Sequence, residues 1–258
     1  MQRTGAAPFS LAIPFAIAAA WIIAIVAQLT GSAPLLHHHA LIEGGPAPGV
    51  AALLFILAWL VMIAAMMLPS SLPLMRMFAV VSTGQRNAGY ALFAFVGGYV
   101  LVWSAFGLVA FGGDVVLHAT VDRTPWLAAR PWLIAGAILA LAGIYQFTPL
   151  KDRCLQVCRL PANFLMHHYR RGVQAAFDLG RRHGIFCVGC CWALMLIGFA
   201  AGFANLWWMA ALTALMVYEK IARRGRRAVP VAGIALLGWS ALILAQPAWL
   251  PAAFTGIK

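Results

Sequence analysis

Apolar stretches of about twenty residues recur along the whole chain, separated by short pieces that hold most of its charge. A helix needs about 20 such residues to cross a bilayer, and lipid offers no partner for stray backbone groups, so these stretches must be helical there. Only 9% of the 258 residues are charged, where a soluble domain carries roughly a quarter. The expected fold is therefore all-α, a polytopic transmembrane helix bundle. It is expected to form a single membrane domain over 1–258, of about seven spans near 9–29, 50–68, 90–111, 132–147, 185–203, 206–218 and 229–245. The first stretch is longer than the 7–15 apolar residues of a signal-peptide core and is read as retained.

Between the fourth and fifth spans, Phe164, Leu165, Val173, Ala176, Phe177 and Leu179 alternate with Arg and His. This pattern fits an amphipathic helix near 160–182 lying on the inner membrane surface. Seven spans would put fifteen of the 18 Lys and Arg on one side, leaving Arg123, Arg130 and Lys258 on the other. Positive charge collects on the cytoplasmic side, which places the N-terminus in the cytoplasm, the C-terminus outside and the chain in a bacterial inner membrane. The net charge of +12 then faces anionic lipid, and no nucleic-acid partner is expected.

No internal repeat, P-loop or Gly-rich dinucleotide fingerprint is present, so ATP-driven transport has no support. No GxSxG elbow or Ser-His-Asp arrangement supports hydrolysis. None of the 7 histidines falls mid-span, which argues against a haem held between helices.

All 5 cysteines, Cys154, Cys158, Cys187, Cys190 and Cys191, crowd into one stretch at the expected cytoplasmic ends of the fourth and fifth spans. Thiols stay reduced on that side. Cys154 and Cys158 are spaced i, i+4, as are Cys187 and Cys191, so each pair shares a helix face. His183 precedes Cys187 by one such step. A tight turn near Ala204 would bring Glu219 level with Gly189, both 15 residues from it. The sixth apolar run, Leu206 to Tyr218, is only about 20 Å long as a helix, so Glu219 would sit low in the membrane. An acid at that depth marks a candidate functional site, the plainer alternative being a headgroup-level pair with Lys220 or Arg223. Met66 and Met67 lie at the same expected end, ahead of Pro69 and Pro73, where a broken or re-entrant turn is expected. Thioether with thiolate favours Cu(I), whereas thiolates with carboxylate or imidazole suit zinc or iron. The methionines by themselves are more often core filling, and their weight comes from sharing an end with the cysteines.

The segments MIAAMMLPSSLPLM (Met62 to Met75), GYVLVW (Gly98 to Trp103), GIYQFTPLKDRCLQVCR (Gly143 to Arg159), HGIFCVGCCWALM (His183 to Met195) and NLWWMAALTALMVYEK (Asn205 to Lys220) carry a resemblance. Together they resemble the bacterial and archaeal predicted metal-binding integral membrane proteins, a domain of unknown function with CxGCCW and MMLPS motifs. The resemblance implies a multi-span metal-binding protein with Cys154, Cys158, Cys187, Cys190, Cys191, Met66, Met67 and Glu219 at motif positions.

On the expected outer face, His37, His38, His39 and His118, near Glu43, Asp114 and Asp122, form a second candidate site for Cu(II) or Zn(II). A solvated loop with incidental histidines is the competing reading. The leading functional expectation is a membrane protein that handles a transition metal, copper favoured, through the inner Cys/Met/Glu cluster with His183. Its expected partners are the lipid bilayer and a membrane protein or metal acceptor. One alternative is an oxidoreductase using the metal or a dithiol relay through CVGCC. The other is a structural, metal-stapled subunit of a larger membrane complex.

Overall fold

A computed structural model of the protein describes residues 7–30, 47–201 and 205–249. Among the described residues the regular structure is helical, with no strand: α1 (Ala7–Leu29), α2 (Pro48–Met62), a π-helical turn (Ile63–Met67), α3 (Leu68–Ser82), α4 (Ala88–Arg123), α5 (Pro125–Ala128), α6 (Pro131–Tyr145), α7 (Pro149–Arg159), α8 (Pro161–His168), α9 (Val173–Ala201), α10 (Leu206–Ile221), α11 (Gly225–Ala245) and a 3-10 turn (Pro247–Trp249). Proline opens α2, α5, α6, α7 and α8, where its missing N–H is no loss and its fixed φ suits the first turn. The all-α helical bundle is thus observed.

Among the described residues four stretches are long and apolar enough to cross a membrane: Ala12–Leu29, Gly49–Ser82, Ala88–Arg123 and Gly225–Ala245. A fifth would be α6 with α7, bent by 65° between them. The remaining two expected crossings fall on α9, whose first turns carry Asp178, Arg181 and Arg182, and on α10, which has 16 residues and is about 24 Å long. The third expected span is the 36-residue α4, so Asp114, His118 and Asp122 sit on helix and not in a loop.

The expected surface helix near 160–182 is broken. Its first part is α8 and its second the beginning of α9, because Gly172 adopts φ 109 between them, a conformation that costs glycine nothing. On the exposed start of α9, hydrogen bonds from Arg182 and Arg181 hold the Asp178 carboxyl below its usual range.

The expected broken or re-entrant turn at Met62 to Met75 is also absent. The chain stays helical from Gly49 to Ser82, with a π-helical turn just ahead of Pro69 and with Pro73 inside α3. Pro69 has no N–H to give the Ala65 carbonyl; that carbonyl instead accepts a hydrogen bond from the Trp21 indole on α1 at 3.0 Å. A π turn inside an α-helix often accompanies a functional site, and this one carries Met66 and Met67.

The most extensive helix contact is between α4 and α9, made close by glycine on both sides. A Cβ on Gly180 would strike the Phe95 carbonyl, and one on Gly98 the Phe177 carbonyl and, at 2.9 Å, the Arg181 nitrogen. Across the α2–α4 contact the Trp59 indole donates to the Trp103 carbonyl at 2.8 Å, its ring lying over Gly107. The start of α10 is capped by Asn205, whose side chain accepts from the Trp207 and Trp208 amides at 3.2 and 3.3 Å. Asn205→Ala is expected to lower stability by about 1 kcal/mol, read as a lower unfolding midpoint in detergent.

Candidate metal centre

Helix α9 sets the site, because Cys187, Cys190 and Cys191 fall on one face of it at i, i+3 and i+4. All three thiols are buried. Cys190 and Cys191 donate to the Cys187 carbonyl at 3.1 and 2.9 Å. From α7, the half-buried Cys158 brings its sulfur to 3.9 Å from that of Cys190. Two sulfurs so spaced can both bond one ion at metal–thiolate lengths of about 2.3 Å. From the π-helical turn, the Met67 sulfur lies 4.0 Å from that of Cys191. Met66 beside it is equally buried.

Cys154 is turned differently. Its sulfur occupies the space over Gly189, where a Cβ would stand 2.7 Å away. A methyl on the glycine of the CVGCC segment would therefore force the Cys154 thiol to turn aside. Tyr145 on α6 reinforces the join by donating to the Gly189 carbonyl and meeting Trp192 edge-on, ring centres 4.9 Å apart.

Glu219 does not join the sulfur cluster. Its Oε2 pairs with the Lys151 ammonium at 2.8 Å, and among the described residues its buried Oε1 has no hydrogen-bond partner. The next residue, Lys220, takes the place that depth alone assigned to the acid. Its ammonium lies 3.1 Å from the Cys187 sulfur, 3.9 Å from the Cys191 sulfur and 3.0 Å from the Ser70 hydroxyl. The physical reason is azimuth. Adjacent helical residues point about 100° apart, so equal depth does not put both on the same neighbour.

His183 is likewise one layer removed from sulfur. Its Nε2 meets the Ser71 hydroxyl at 3.1 Å, Ser71 donates to the Tyr99 hydroxyl at 3.1 Å, and Tyr99 stands 3.1 Å from the Cys187 sulfur. Its ring stacks on Tyr99 with centroids 5.4 Å apart. Sequence reasoning missed Lys151, Lys220, Tyr99, Ser70 and Ser71. A signal existed for Lys220, which continues the buried stripe Met209, Thr213 and Met216 on α10 at helical spacing.

Hydrogen bonds from α7 hold this arrangement shut. Arg159 donates to the carbonyls of Glu219, Ala222 and Arg223 at the end of α10, the latter two at 2.9 and 3.4 Å, satisfying acceptors that a helix terminus leaves open. Asp152 pairs with Arg226 at 3.1 Å.

Of the second candidate site, His37, His38 and His39 lie outside the described residues. His118 is buried in α4, its Nδ1 2.9 Å from the Asp114 carbonyl and 3.6 Å from the Asp114 carboxylate. Among the described residues no group of three or more His, Cys, Asp or Glu forms a ready-made cage for an ion. What the geometry presents is a buried cluster of sulfurs with one ammonium beside it.

The family model of the PpoB2 copper chaperones matches residues 56–243. The chain belongs to this family. No curated protein and no solved structure matches it. The matched stretch of the PpoB2 family begins in α2 and ends in α11, so it contains every sulfur of the cluster together with Lys151, Glu219 and Lys220 and leaves out α1 and the His37 to His39 segment.

Proposed function

We propose that this PpoB2-family chain is an integral protein of the bacterial inner membrane that takes up Cu(I) as cargo and passes it to an acceptor protein. Its N-terminus would be cytoplasmic and its C-terminus outside. The observation that carries the reading is the meeting of thiols from α7 and α9 with a thioether from the π-helical turn, in a family of copper chaperones. Thiolate and thioether donors select a soft ion such as Cu(I).

Cys187, Cys190 and Cys191 are the buried thiols of the cluster and Cys158 the half-buried one. Thiol-bound ions pass between proteins by ligand exchange, which needs one ligand within reach of the partner. Cys158 fills that role. It sits on an amphipathic helix at the face that carries most of the positive charge.

The test is anaerobic Cu(I) titration of detergent-purified protein against a chromogenic competitor. Wild type is expected to bind through its thiols, and the double variant Cys187→Ser, Cys190→Ser to bind at least about a hundredfold more weakly, beyond the 10–100-fold range of outer-layer changes. Equal binding by both would overturn the proposal. Cys158→Ser is expected to slow transfer to a dithiol acceptor more than it weakens binding, because the buried thiols remain.

A further inference from the structure

We propose that Lys220 sets the valence of the cargo, favouring a monovalent soft ion over a divalent one of similar affinity for sulfur. The inference rests on the sulfur cluster being the copper site and concerns which ions that cluster rejects.

The ammonium is fixed and not a floating charge. The residue is 5% exposed, and its Nζ is held by the Ser70 hydroxyl at 3.0 Å and the Cys187 sulfur at 3.1 Å. An ion bonded to Cys187 at about 2.3 Å therefore lies within about 5 Å of this positive charge. The other charges packed around the cluster offset one another or are turned away. Lys151 is matched by Glu219 at 2.8 Å, and Arg159 is directed at the carbonyls ending α10. His183 is bonded to Ser71, and Asp152 is matched by Arg226. The charge an incoming ion meets beside the thiols is Lys220.

Repulsion scales with the charge on the ion, whereas the gain from stabilising the thiolates does not depend on which ion they hold. At about 5 Å and an effective dielectric near 20, each unit of ion charge costs about a hundredfold in binding. A monovalent ion bears that factor once and a divalent ion twice. With two thiolates bound, a monovalent ion leaves the cluster with Lys220 neutral, whereas a divalent ion leaves it carrying a buried positive charge, which is expensive away from water. The carboxylate next in sequence would have inverted this preference. It is turned onto Lys151 instead, so the discrimination comes from which of two adjacent residues faces the sulfur.

The experiment measures Cu(I), Ag(I), Zn(II) and Cd(II) affinities by anaerobic competition on wild type, Lys220→Met, Lys220→Gln and Lys220→Arg. In the two uncharged variants the Cu(I)-to-Zn(II) affinity ratio is expected to fall about a hundredfold, with Ag(I) following Cu(I) and Cd(II) following Zn(II). Lys220→Arg keeps the charge and is expected to keep the ratio within severalfold. A purely structural lysine would lower all four affinities together, so an unchanged ratio in Lys220→Met and Lys220→Gln overturns the inference while leaving the copper site standing. Wild type that binds no Cu(I) through its thiols would instead bring down the copper site and this inference with it.

Discussion

Lys151→Met is expected to destabilise the protein by about 3–5 kcal/mol, the usual cost of removing one partner from a buried ion pair. The Lys151 and Glu219 side chains are 1% and 2% exposed, and Oε1 of Glu219 already lacks a hydrogen-bond partner among the described residues. Taking away the ammonium would leave a whole carboxylate buried and uncompensated. The same pair joins α7 to α10, so its loss should also loosen the helix that carries Cys158. The double variant Lys151→Met, Glu219→Met is expected to regain most of the stability, because two apolar side chains of similar length leave no buried charge behind. Denaturant unfolding in detergent reads both changes. A single variant within about 1 kcal/mol of wild type would show that water reaches the pair.

Gly180→Ala is the second large effect expected. The new methyl would meet the backbone carbonyl of Phe95, and a main-chain atom inside a helix cannot rotate aside as a side chain can. Overpacking of this kind costs about 1–3 kcal/mol where the surroundings give way and more where they do not. Here the obstacle is the backbone of α4, so the two helices must move apart where they meet. Gly98→Ala, which meets the Phe177 carbonyl from the opposite side, should behave alike. The two together should cost less than their sum, because the first substitution already makes the space that the second needs. Gly97→Ala is the control: nothing lies within 4 Å of its Cβ position, and alanine is better than glycine in a helix by up to about 1 kcal/mol. If Gly98→Ala is as harmless as Gly97→Ala, the close approach of α4 and α9 does not exist in solution. Cys187 lies two turns beyond Gly180 on α9, so weakened Cu(I) binding should accompany the loss of stability.

The difference between Gly97 and Gly98 shows how unevenly sequence exposes structure. Both are glycine in one apolar run, and periodicity does not say which faces another backbone. The cysteines were easier to interpret. Cys187 and Cys191 share a helix face by spacing alone, and their nearness to Cys158 followed from placing all five cysteines at the same ends of the fourth and fifth spans. Depth counting brought the end of α10 to the thiols. It then assigned the wrong residue there, because the rotation of α10 about its axis is set by how Met209, Leu212 and Met216 pack. Lys151 was legible only as one of many inner-face charges, since its partner is distant in sequence. Pro69 and Pro73 were read as a break, but the helix continues, and the Ala65 carbonyl that Pro69 leaves open is met by Trp21 on another helix.

Composition and hydropathy by themselves determined that this chain is a bundle of apolar helices, because a segment without polar side chains can satisfy its backbone only internally. Residue spacing determined that sulfur gathers at one end. Which cation stands beside that sulfur, which carboxylate is withdrawn from it and how closely α4 and α9 approach were decided only by the tertiary structure. Those outcomes depend on the azimuth and separation of packed helices, and both are set by contacts between residues far apart in the chain.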